Sequence, residues 1–193
     1  MHIAAHSLAE AWYFLLANLV KHGKPVSPRG IPCREIIGVN MRVDSAILNS
    51  FHSPTRNLNH KFGVAEWLWI WYGREDVRSI AQFNKQIAKF SDNGEWFDGA
   101  YGPRVAEQWL YVGNLLKSDP DTRQAVIQIY KQPDQPTKDV PCTVSFQMFV
   151  RDGDLHGVVV MRSSDVWLGL PYDFFNFSML LNTMAAQLGH GVG

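Results

Sequence analysis

Two runs, Thr143 to Val150 and Leu155 to Met161, are rich in β-branched and aromatic residues and are separated only by Arg151-Asp152-Gly153-Asp154. Strand-like residues on either side of an Asp-Gly turn predict a β-hairpin, and the apolar helical run Tyr172 to Leu188 follows it. Upstream, Ser7 precedes a stripe of Leu8, Ala11, Trp12, Leu15, Leu16 and Leu19 at helical spacing, with Gly23 behind it, so residues 7–22 read as a capped amphipathic helix. Residues 24–34, with Pro25, Pro28, Gly30 and Pro32, read as a loop displaying Arg29 and Arg34, and Glu35 to Val43 reads as a weakly alternating strand. Ser50 to His60 is polar and irregular; Phe62 to Tyr72, apolar almost all round, predicts a buried helix stopped by Gly73. Helical patterns follow over residues 76–90 and from Val105 to Lys117, then a strand from Ala125 to Tyr130. Helices first, a central group of strands, then a helix predict an α+β fold with an antiparallel or mixed sheet.

No repeat, low-complexity stretch or linker divides the chain, and 193 residues at 46% hydrophobic suit one domain with a real core. Eighteen Lys+Arg balance eighteen Asp+Glu, which excludes the basic field that a nucleic-acid polymer requires. Any anionic ligand must be met by a few placed arginines. No apolar run approaches the roughly 20 residues of a membrane span. Two cysteines make no disulfide framework, and the N-terminus lacks a signal-peptide layout, so a reducing cytoplasm is expected. The histidines form no H-E-x-x-H and the cysteines no zinc spacing, so no metal site is expected; Walker and G-x-G-x-x-G loops are also absent. Asn176-Phe177-Ser178 matches a glycosylation triplet, but it falls in a helix.

Cys142 enters the first hairpin strand, where a cysteine is more often a small core hydrophobe than a nucleophile. Its company alters that balance: Arg162, Ser163 and Asp165 stand at the end of the neighbouring strand, and a guanidinium beside a thiol lowers its pKa and recruits anions. Glu66 sits among tryptophans, where a desolvated carboxylate has a raised pKa and needs either a task or a structural partner. Asp173, where a loop turns into a helix, reads equally as an ordinary helix-start carboxylate, and Arg123 alone reads as a solvated turn charge.

In order along the chain, Ala65-Glu66 through Leu68-Trp69 to Gly73, Tyr101-Gly102, Asp119-Pro120-Asp121-Thr122-Arg123, Pro141-Cys142 with Phe146-Gln147, and Arg162-Ser163-Ser164-Asp165 through Gly169-Leu170-Pro171-Tyr172-Asp173 resemble the thymidylate synthase superfamily. That superfamily includes the pyrimidine nucleotide hydroxymethylases. The resemblance implies a central sheet flanked by helices, one sheet face forming a homodimer interface, and a role in nucleotide biosynthesis. It implies that Cys142 adds to C6 of a pyrimidine, making C5 nucleophilic toward 5,10-methylenetetrahydrofolate. Glu66 would organise water and proton transfers, Tyr101 would assist proton removal at C5, and Asp165 would hold the base and the loop. Arg162, with Ser163 beside it, and Arg29 would hold the phosphate, and Arg162 would help keep the cysteine ionised. Arg123 would come from the partner subunit.

The departures point to the substrate. The synthases carry an asparagine that pairs with uracil where this chain has Asp173; an ionised carboxylate only accepts, which suits the amino group and protonated N3 of cytosine. Thr143 replaces a histidine after the nucleophile, Gln124 replaces a second phosphate arginine, and Ala88 falls near a tryptophan of the folate site. The resemblance therefore implies 5-hydroxymethylation of CMP or dCMP, ahead of dUMP, by a single catalytic domain over residues 1–193. The sugar-binding His and Tyr of the family lie beyond the last helix, so the chain is expected to lack the family's C-terminal segment. Two other readings are a thymidylate synthase acting on dUMP and an inactive nucleotide-binding member.

Overall fold

The computed structural model describes residues 1–44, 46, 53, 55–132 and 137–193. The expected hairpin is its centre: β6 (Thr143–Arg151) and β7 (Asp154–Met161) pair antiparallel, Arg151 opposite Asp154, through a turn in which Asp152 and Gly153 both have positive φ. The short β5 (Val126–Gln128) adds antiparallel to β6, and β8 (Gly191–Val192) adds parallel to β7, giving a mixed sheet in the order β5-β6-β7-β8. Phe146, Met148, Val150 and Leu155 point inward from this sheet and are buried. Three helices cover that face: α2 (His60–Trp71), α4 (Tyr101–Ser118) and α5 (Leu170–Leu188). Ile70 of α2, Val112 and Leu116 of α4, and Phe177, Leu180 and Met184 of α5 complete one continuous core with the strands. The opposite face leaves Val158 and Val160 about half exposed.

A second layer encloses α1 (Leu8–His22), whose cap is the expected Ser7, its hydroxyl accepting from the Glu10 N–H. α1 packs with β1 (His2–Ala5), which pairs parallel with β4 (Asn40–Val43). The stretch expected as loop over residues 24–34 instead contains two short antiparallel strands, β2 (Lys24–Val26) and β3 (Cys33–Glu35), joined through a 3-10 turn at Pro28–Gly30. A two-stranded ribbon has no central strand, so Pro25 is tolerated there. Within the expected strand Glu35 to Val43, only the two ends are strand. Of the stretch Ser50 to His60, residues 53 and 55–59 are irregular, and residues 50–52 and 54 lie outside the described residues.

The pattern over residues 76–90 is two pieces, α3 (Val77–Ala81), capped by Asp76, and a 3-10 segment Lys85–Phe90. α4 begins at Tyr101, four residues before the expected Val105: Pro103 lies in the first turn, where its missing N–H costs no hydrogen bond. α2 is not buried all round; Val64 and Leu68 remain exposed on one side. Its end turns directly against the start of α4, so tightly that a Cβ on Gly102 would lie 2.4 Å from the Arg74 carbonyl oxygen. That contact places Glu66 of α2 and Tyr101 of α4 on the same side of the sheet core. No helix among the described residues is long and apolar enough to cross a membrane.

Candidate active site

Cys142 and Arg162 meet where β6 and β7 end. The Arg162 N–H donates to the Cys142 carbonyl at 2.9 Å, and its guanidinium donates from Nε to Pro141 O at 2.8 Å and from Nη2 to Val140 O at 2.8 Å. Arg162 thus braces the segment that delivers the cysteine. Burial pushes the Cys142 pKa up, and Asp173 and Asp139 add to that; Arg162, in the expected direction, and more weakly Arg29 pull it down, and the balance lies above the ordinary value. Ionisation therefore needs a proton acceptor as well as the arginine.

After β7 the chain folds back on Asp165. Its Oδ1 accepts from the N–H groups of Trp167 and Leu168 at 2.9 and 2.7 Å, and its carbonyl accepts from Gly169 and Leu170. This turn starts α5 and sets Asp173 in its first turn, close enough that a Cβ on Gly169 would lie 3.2 Å from Asp173 Oδ2. A helix start favours a charged carboxylate. Here the opposing effects win: desolvation first, then the charges of Glu66 and Asp165, raise the Asp173 pKa to about 8. The expectation of an ionised, acceptor-only Asp173 is therefore corrected to a carboxyl that keeps its proton at neutral pH, able to donate from one oxygen and accept at the other.

Glu66 faces Asp173 across the α2–α5 contact. Burial lifts its pKa to about 7, against the opposing pull of one hydrogen bond, from Asn176 Nδ2 to Glu66 Oε2 at 2.8 Å. Both residues keep some accessible surface, but their carboxyls are crowded enough by protein for desolvation to dominate. Two carboxyls whose burial raises their pKa values to about 7 and about 8 can both hold and release protons close to neutrality, as an acid–base pair must.

Tyr101 is locked to the residue after the nucleophile: its hydroxyl donates to Thr143 Oγ1 at 3.1 Å and accepts from the Thr143 N–H at 3.2 Å. Burial first, then the charge of Asp173, hold its phenol well above the usual range, so it acts as a neutral hydroxyl. Cys142, Tyr101, Glu66, Asp173, Asp165, Arg162 and Arg29 are thereby linked by bonds or by mutual electrostatic influence. Ser163 follows Arg162 on the exposed rim. Arg29 is also exposed, on the 3-10 turn with φ 54. Arg123 is not brought to this cluster; it precedes β5 with its side chain exposed and its carbonyl accepting from Gln147 Nε2 at 2.7 Å.

Sequence reasoning missed Asn176, the hydrogen-bond partner of Glu66, whose signal was an amide on the apolar side of α5 three residues after Asp173; it is 4% exposed, which also disposes of the glycosylation triplet. It missed Asp139 as well, which accepts from the Gly99 N–H at 2.9 Å and whose pKa burial raises to about 6. Beside the carboxyls, the starts of α2 and α5 form a small cleft lined by His60, Gly63, Val64, Pro171, Tyr172 and Phe175. The Arg56 guanidinium lies 5.8 Å from the Tyr172 ring and 5.9 Å from the Trp167 ring, and Leu168 is exposed next along the chain. Aromatic walls with one cation suit a flat, anionic organic molecule. No group of three His, Cys, Asp or Glu among the described residues could hold a metal ion.

The family model described as thymidylate synthase matches residues 10–193. A deoxyuridylate hydroxymethyltransferase of Bacillus phage SP01 is 35% identical over 199 aligned residues, which cover 93% of this chain and 52% of the phage protein. The chain spans about half the length of that curated relative.

Proposed function

The chain belongs to the thymidylate synthase family, and from that membership and the chemistry of the cleft we propose that it transfers a one-carbon unit to C5 of a pyrimidine nucleoside monophosphate, ending in 5-hydroxymethylation. The substrate we assign is CMP or dCMP, and the feature that carries it is a carboxyl, Asp173, where the synthases carry an asparagine: unlike an amide, it can transfer a proton to cytosine N3. Its O–H donates to cytosine N3 and its other oxygen accepts from the exocyclic amine. As the Cys142 thiolate adds to C6, electron density moves to N3, and Asp173 passes its proton there. The C5–H proton leaves through water ordered by the neutral Tyr101 hydroxyl, and Glu66 is the acceptor for it. Arg162, Ser163 and Arg29 receive the phosphate.

5,10-Methylenetetrahydrofolate, when bound, supplies the carbon. In this reading the aromatic faces of Tyr172 and Phe175 would receive its flat rings, and Arg56, 5.8 Å from the Tyr172 ring, its acidic tail. Residues 1–193 supply this cleft as one catalytic domain acting in the cytoplasm. Arg123 reaches the phosphate of a second copy in a homodimer built on the outer sheet face that exposes Val158 and Val160.

A second reading, dUMP as substrate, is favoured by the name of the phage relative. The same protonated carboxyl can donate to O4 of uracil and accept from N3–H. Folate-dependent tritium release from the C5-labelled forms of CMP, dCMP, UMP and dUMP separates the two. Release from the cytidylates, abolished by Cys142→Ala, supports the assignment; preference for dUMP sinks it, and release surviving Cys142→Ala sinks the covalent route.

A further inference from the structure

Among the described residues two buried side-chain polar atoms lack a hydrogen-bond partner, Trp67 Nε1 and Asn176 Oδ1. A buried amide oxygen left unpaired is costly, so it calls for a purpose. Its placement offers one. Asn176 stands on α5 three residues after Asp173, on the same side of the helix, and its Nδ2 grips Glu66 Oε2 at 2.8 Å from across the α2–α5 contact. An ionised Glu66 forces the NH2 toward itself, which turns the carbonyl oxygen away with nothing to accept from. An acceptor beside a base is a seat for a water molecule that donates one proton to each.

We propose that Asn176 is a positioning residue that fixes Glu66 and, through Oδ1, holds the water that becomes the product hydroxyl. This rests on the hydroxymethylation reading. In the step, the water oxygen forms a bond to the exocyclic carbon already attached at C5, and one water proton passes to Glu66, which has by then returned the C5–H proton to solvent and is again ionised. The π electrons of the exocyclic bond move into the ring, and re-formation of C5=C6 then expels Cys142 as thiolate. No oxidant or reductant is consumed. A protonated Glu66 is accommodated by a turn of the same amide, whose oxygen then accepts from the acid, so the carboxyl stays in place through its proton cycle.

The neighbours that bear on Glu66 are Asp173 of α5 and, through Asp173, Asp165 of the preceding turn, Tyr101 of α4 and Cys142 before β6. The test is Asn176→Leu in the full chain, with Asn176→Ala should the leucine variant not fold, and Asn176→Ser as the conservative variant. Infrared titration of the carboxyls, assigned by difference from Glu66→Gln, is expected to move the Glu66 midpoint upward in the leucine and alanine variants and back toward wild type in the serine variant. In turnover, hydroxymethyl product formed per tritium released from C5 is expected to fall at least about tenfold in the leucine variant, because release precedes water capture. An unmoved Glu66 midpoint, or an unchanged ratio of product to tritium, overturns the inference. If the wild-type protein releases no tritium, the hydroxymethylation reading and the water's role fall together, and the infrared midpoint still decides whether Asn176 sets Glu66.

Discussion

Replacing Asp173 by asparagine keeps the size of the side chain and its capacity to donate and accept, but removes its transferable proton. With burial and the charges of Glu66 and Asp165 pushing the Asp173 pKa up to about 8, the protonated form prevails at pH 7. Most wild-type molecules can therefore protonate cytosine N3 as Cys142 adds to C6; the variant never can. General acid catalysis contributes roughly 10²–10⁴-fold, about 3–5 kcal/mol, so kcat/KM on CMP or dCMP should fall by that factor in Asp173→Asn. On dUMP the amide still donates to O4 and accepts from N3–H, and kcat/KM should change by less than about tenfold. The assay is C5 tritium release under competing CMP and dUMP at pH 7, with calorimetric affinity for CMP as the control for ground-state binding. A cytidylate-to-uridylate ratio unchanged from wild type would refute the proton-donor role of Asp173.

The same pair of carboxyls gives a bell-shaped rate profile: activity rises as Glu66 ionises near pH 7 and falls as Asp173 ionises near pH 8, the two midpoints belonging to the coupled pair. A flat profile across pH 6 to 9 contradicts it. Stability follows the opposite sense from an ordinary acidic surface. Both folded-state pKa values lie above their unfolded values, so the folded protein binds more protons from about pH 4 to about pH 8 and loses stability as pH rises through that window. Each group contributes a slope of about 1.4 kcal/mol per pH unit while fully engaged, and Asp173→Asn should flatten it, read from urea midpoints at successive pH values. Tyr101→Phe strands the hydrogen-bonding groups of Thr143, which is fully buried, and is expected to cost about 1–3 kcal/mol in urea unfolding together with about 10²-fold in C5 release. Val158→Asp with Val160→Asp should leave circular dichroism unchanged and convert a dimer to monomer in sedimentation; dimers surviving both charges place the interface elsewhere.

The parts of the fold written in local patterns were legible. The Asp152-Gly153 turn between two β-branched runs announced the hairpin, and Ser7 announced α1. Pairings made at a distance were not: β1 finds β4 across the whole of α1, and β8 is two residues long. Prolines misled in two places, hiding the β2–β3 ribbon at Pro25 and Pro32 and delaying α4 because Gly102-Pro103 resembles a loop. In the site, Glu66 was visible as a lone carboxylate in an apolar run, and its raised pKa follows from that burial. The protonation of Asp173 was not visible, because it depends on Glu66 from another helix and on Asp165 through the turn. Arg162 beside Cys142 was legible as a neighbour that favours the thiolate, but the desolvation that outweighs it exists only after folding.

Turnover of CMP and dCMP with 5,10-methylenetetrahydrofolate in oxygen-18 water, followed by mass spectrometry of the nucleotide, tests hydroxymethylation at C5 most directly. The account predicts a 5-hydroxymethyl product carrying one atom of the heavy isotope, with no dihydrofolate formed and none of this product from Cys142→Ala. A 5-methyl product accompanied by dihydrofolate, or nucleotide recovered unchanged, contradicts it.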